Sequence, residues 1–98
     1  MVQAMAEAVV RVNHASGLHA RPLAAFVKVA KSFDADVQVE NVSTGRGPAS
    51  GKSAVHLLLL TAKQGHELRI TTSGPQAEAA LAALVELVNT NFGEGEPS

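Results

Sequence analysis

A chain of 98 residues, 46% hydrophobic and 17% charged, suits one small globular domain with a modest core and is too apolar for disorder. A net charge of −1 argues against a broad footprint for nucleic acid, and the absence of cysteine excludes disulfides, thiol chemistry and thiolate metal sites. Met1 to Glu7 lacks the basic and apolar regions of a signal peptide, and Leu57 to Leu60 is too short to span a bilayer, so a soluble cytoplasmic domain is expected; a monomer is expected as well.

Glu7 to Val12 alternates, with Ala8, Val10 and Val12 on one face, as a half-buried strand does. Asn13 to Leu18 contains the turn signal Ser16-Gly17 and reads as a loop. Pro22 lacks a backbone N–H and clashes with a preceding turn, so it marks the first turn of a helix running from about Ala20 to about Phe33. Leu23, Phe26, Val27, Ala30 and Phe33 form its inward face, and Ala20, Arg21, Ala24, Lys28 and Lys31 lie opposite.

Val37 and Val39 alternate with polar neighbours in a second strand. Asn41 to Gly51 is expected to make a hairpin whose short return strand lies at a sheet edge, because Pro48 cannot donate to a ladder. Ser53 is a candidate N-cap for a short helix through about Ala62, although period alone does not assign four consecutive leucines. Glu67 to Thr72 alternates again, with Leu68 and Ile70 inward. Ser73-Gly74-Pro75 reads as a helix start, with Ser73 or Gly74 as cap. The last helix carries Ala77, Leu81, Leu84, Val85 and Val88 on one face, and residues 93–98 read as a frayed tail. The order strand-helix-strand-strand-helix-strand-helix predicts a single α+β domain over residues 1–98, with its core between about 6 and 91. About four antiparallel strands, open to solvent on one face, carry the helices on the other.

The chemistry concentrates at Gly17-Leu18-His19-Ala20-Arg21-Pro22. His19 falls at the start of the first helix, where free N–H groups and the positive end of the macrodipole converge. A lone histidine there is most often a cap or a solvated residue. Arg21 in the same turn, Pro22 at the helix start and the small Ser16-Gly17 pair favour a phosphoryl site. Neutral imidazole has a free lone pair and attacks phosphorus without a general base. Ala20 and Ala24 leave a flat approach beside it, among cations that are otherwise an ordinary solvated face. On the second helix, Ala54, Val55 and Leu57 to Leu60 cover more circumference than one-sided burial requires. Either some stay exposed as an interaction patch, or the helix is wedged and buries them all. His14, His56 and His66 match no zinc spacing, and Gly51-Lys52-Ser53 lacks the upstream glycine of a P-loop.

The first motif, and Lys52-Ser53 before an apolar helix, resemble the histidine-containing phosphocarrier (HPr) family of the bacterial phosphoenolpyruvate-dependent phosphotransferase system. The resemblance runs from about Ala6 to about Asn91. It implies an open-faced β-sandwich, four antiparallel strands covered on one side by three helices. It also implies a relay without turnover of a small molecule by itself, without cofactor or metal. His19 would accept a phosphoryl group, on Nδ1 in the family, from enzyme I and pass it to a IIA domain. Arg21 would assist transfer, while Ser16 and the amides around Ala20 and Arg21 cradle the phosphate. Ala20, Ala24, Lys28, Lys31, Ala54, Val55, His56 and Leu58 would correspond to the docking surface. Ser53 would match the serine that a dedicated HPr kinase/phosphorylase modifies in some bacteria.

The 41–50 hairpin is longer than in common sugar-transport members, and His56 stands where many have lysine. The stretches 33–37 and 74–84 resemble the nitrogen-related branch (NPr), whereas Lys52-Ser53 resembles the sugar branch. The alternative role is therefore an NPr-type regulator whose phosphorylation state controls its binding to enzymes or transcriptional regulators.

Overall fold

The computed structural model describes residues 4–13, 20–90 and 92. Ser16, Gly17, Leu18 and His19 lie outside the described residues, as do His14 and the expected tail at 93–98.

The elements follow the order read from the pattern: β1 (Met5–Arg11), α1 (Ala20–Lys31), β2 (Asp36–Asn41), β3 (Arg46–Ser50), α2 (Ala54–Leu58), β4 (Glu67–Ser73) and α3 (Ala77–Asn89). They build one antiparallel sheet in the order β1-β4-β2-β3. β4 lies between β1 and β2, with Val10 opposite Leu68 and Val39 opposite Ile70. Both neighbours run antiparallel to β4, so β1 and β2 are parallel to each other and α1 is the crossover between them. Pro48 does sit on an edge strand, and a register irregularity between Val39 and Asn41 interrupts the β2–β3 ladder.

Alternation places Val10, Val37, Val39, Leu68 and Ile70 under the helices, where all are buried. Phe26 and Ala30 of α1, Leu57 of α2, and Leu84 and Val88 of α3 complete the core. The other sheet face is open, and there Arg69 lies 2.9 Å from a Glu40 carboxylate oxygen and 3.8 Å from one of Glu7.

β1 runs over Met5–Arg11 rather than Glu7 to Val12, because its pairing with β4 extends back to Met5 opposite Ser73, and three helix boundaries also differ from expectation. α1 ends at Lys31 rather than near Phe33, and Ser32 Oγ donates to the Val29 carbonyl, closing the last turn. α2 ends at Leu58 rather than near Ala62. Leu59 and Leu60 continue in a turn, and Thr61 takes φ 47, a left-handed conformation that no helix continues. α3 begins at Ala77, and its cap is Gln76 rather than Ser73 or Gly74. Ser73 is drawn into β4, and Gly74 turns the chain at φ 118. The Gln76 side chain caps nothing, because its Oε1 accepts from the Asp34 N–H at 2.6 Å. The Gln76 N–H in turn donates to the Asp34 carbonyl at 3.0 Å, tying the α1–β2 loop to the foot of α3.

Candidate functional site

α1 starts at Ala20, the residue after His19, and Pro22 occupies its first turn as its missing N–H requires. No acidic residue stands in that turn, and Lys28 and Lys31 occupy the last one. Arg21, Ala24, Lys28 and Lys31 are all exposed on the outward face, while Leu23, Phe26 and Ala30 are buried behind them. The two-sided reading of this helix therefore holds for the side chains that the structure describes.

α2 resolves the question of the leucines. Leu57 and Leu60 are buried at 1% exposure, whereas Val55, Leu58 and Leu59 remain 69%, 55% and 64% exposed. The helix is short, so one face anchors it and the rest of its circumference stays in water. Ser53 caps it in extended geometry, its Oγ accepting from the His56 N–H at 3.3 Å. His56 is exposed.

Together α1 and α2 enclose an apolar groove of about 440 Å³ lined by Leu23, Ala24, Ala54, Val55 and Leu58. Four of these are predicted docking residues. Leu23 belongs to the inward face of α1, and at 3% exposure it is buried yet floors the groove. Lys28, Lys31 and His56 are exposed but do not line it. The arrangement offers a small apolar socket beside a helix start, with cations further along the same helix. That combination suits contact with a protein that is apolar at its centre and acidic around it.

A buried polar junction behind α2 was not anticipated. Asn41, fully buried, donates through Nδ2 to the Leu60 carbonyl at 3.1 Å, and its Oδ1 accepts from the Ser43 N–H at 3.1 Å. Nδ2 also lies 3.2 Å from His66 Nδ1, which accepts from the Lys63 N–H at 3.1 Å. Asn41 thus pins the end of α2's exit to the β2 and β4 strands. The available signal was its spacing: Val37, Val39 and Asn41 share one face of β2, so Asn41 had to point inward. Among the described residues, no helix is long and apolar enough to cross a membrane.

The PTS HPr component phosphorylation site family model matches residues 6–90. Over 83 residues the chain is 46% identical to a phosphocarrier protein HPr of Pseudomonas aeruginosa, covering 82% of this chain and 87% of that protein. It is 40% identical over 85 residues to a multiphosphoryl transfer protein of Vibrio cholerae, covering 87% of this chain. The chain spans only about a fifth of that relative's length, 21%. The crystal structure of a phosphocarrier protein HPr from Bacillus anthracis superposes with a TM-score of 0.79 at 39% identity, covering 87% of this chain and 98% of that one. With this superposition and a family match over nearly its whole length, the chain belongs to the HPr family of phosphotransferase-system components.

Proposed function

We propose that this protein is a cytoplasmic phosphoryl carrier that accepts a phosphoryl group from phosphorylated enzyme I on His19 and delivers it to a IIA domain. The observation that carries this reading is the apolar groove beside the start of α1, one residue after His19. A relay needs little more: a nucleophile at a helix N-terminus and a surface on which successive partners exchange.

In the proposed step, a ring nitrogen of His19 attacks phosphorus through its lone pair. The new P–N bond forms as the donor's bond to phosphorus breaks, and that electron pair returns to the donor group. Delivery to the acceptor repeats the exchange in the opposite sense. The α1 amides and the helix macrodipole favour the dianionic phosphoryl group, and Arg21 supplies a charge-assisted donor in the first turn. Lys28 and Lys31 lie on the same exposed face and attract acidic partners. Ser53, as the N-cap of α2, stands next to groove-lining Ala54. Phosphorylation there would add negative charge beside the groove and weaken those partners.

The test incubates the chain with labelled phosphoenolpyruvate and a catalytic amount of enzyme I. Acid-labile label should appear in the wild type and be absent from His19→Ala. Arg21→Ala should retain the label at a slower rate with an unchanged thermal transition. Label that persists in His19→Ala would overturn the assignment.

A further inference from the structure

β1 and α3 form the edge of the molecule opposite to α2, because α2 packs on β3 and α1 while β1 is the far strand of the sheet. We propose that this edge is a second docking surface, which takes an extended basic segment of a partner protein as an added strand.

The first support is main-chain geometry. The Gly74 N–H donates to the Ala4 carbonyl and the Val12 N–H to the His66 carbonyl, so the even-numbered residues of β1 are the ones bonded on the β4 side. Bonding alternates along an antiparallel strand, so the N–H and C=O groups of Glu7 and Val9 face outward. Among the described residues no strand pairs with them. An added strand satisfies such groups directly.

The second support is a groove of about 570 Å³ along the same edge. Ala6, Leu81, Ala82 and Val85 provide its apolar surface, and Glu78 and Glu86 stand at its sides. The half-buried state of Leu81 and Val85 on an otherwise well-packed helix reflects this opening.

The third support is charge. α3 holds two glutamates, Glu78 and Glu86, and no lysine, arginine or histidine. α1 has the reverse bias, with cations only. The two helices therefore suit partners of opposite sign, and the glutamate pair disfavours a second copy that would bring α3 against itself.

Spacing defines the occupant further. Glu78 and Glu86 lie about 12 Å apart along the helix axis at 1.5 Å per residue. Residues i and i+4 of an extended strand share a face and lie about 13 Å apart. The matching segment carries lysine or arginine at i and i+4, with an apolar residue at i+2 to meet Leu81 and Val85.

The test titrates the isotope-labelled full chain with the synthetic peptide Ser-Lys-Thr-Val-Thr-Lys-Ser, and with a control bearing glutamate in place of both lysines. Expected are saturable NMR shifts at Glu7, Val9, Leu81 and Val85, slowed exchange of the Glu7 and Val9 amides, and no shifts in α2. Binding should weaken with salt and fall about fivefold in Glu78→Gln/Glu86→Gln, two exposed charges whose loss leaves the fold intact. Val9→Pro, which removes only an outward N–H, should abolish it. Absence of saturation, equal binding of the control peptide, shifts centred on α2, or insensitivity to the glutamate changes would each overturn the proposal. Concentration-dependent shifts along β1 without peptide would overturn it in favour of a second copy.

Discussion

Replacing Val55 and Leu58 together by serine should impair partner docking without harming the fold. Both side chains line the α1–α2 groove and remain 69% and 55% exposed, so in the proposed docking most of their burial is still to come. Full burial of such a side chain is worth about 1.5–3 kcal/mol, which leaves about 1 kcal/mol for each here. Their joint loss should therefore cost about 2 kcal/mol of docking, or about 30-fold in affinity. Because both already lie mostly in water, folding stability should change by less than about 0.5 kcal/mol, a shift of under about 4 °C. Leu59→Ser is the control: Leu59 is 64% exposed but does not line the groove. Rapid-quench transfer from phospho-enzyme I at varied carrier concentration separates docking from chemistry. The half-saturating concentration should rise about 30-fold with the saturated rate maintained. A change of less than about threefold, or an equal loss in Leu59→Ser, would refute the reasoning.

Asn41→Ala removes the contacts to the Leu60 carbonyl, the Ser43 N–H and His66 Nδ1. At about 1 kcal/mol per bond the loss is about 3 kcal/mol, and calorimetry should show a fall of about 12–24 °C. Thr61 holds a β-branched side chain at φ 47, so Thr61→Asn, which tolerates that conformation, should raise Tm by about 3–5 °C. A Cβ at Gly51 would overlap Val37 Cγ1 and lie 3.2 Å from Phe26 Cε1, both inside the core. Gly51→Ala should accordingly cost about 2 kcal/mol, measured by urea unfolding, and Val37→Ala should relieve part of the clash when combined with it.

Much of this molecule was legible in one dimension. Period-two alternation identified β1, β2 and β4, because a strand with one buried face must place apolar residues at every second position. Pro22 located the start of α1, since a residue without an N–H is tolerated there and not in mid-helix. Period 3.6 then separated Leu23, Phe26 and Ala30 from Arg21, Ala24, Lys28 and Lys31.

Tertiary structure decided what local rules leave degenerate. Nothing local tells Leu57 and Leu60 from Leu58 and Leu59; burial against the sheet and α1 distinguishes them. Ser73 and Gly74 are good helix starters, yet pairing of Ser73 with Met5 and Asp36 holds the first in the sheet. Gln76 becomes the cap because its side chain and main chain close on Asp34, forty-two positions away. Asn41 looked like the opening of a polar loop until the fold brought the Leu60 carbonyl and His66 against it. Sequence by itself determined the elements and their faces, because short-range sterics and patterning act within a few positions. Only the packed structure decided which apolar side chains stay in water and which polar ones are buried, because that depends on the neighbours that distant segments supply.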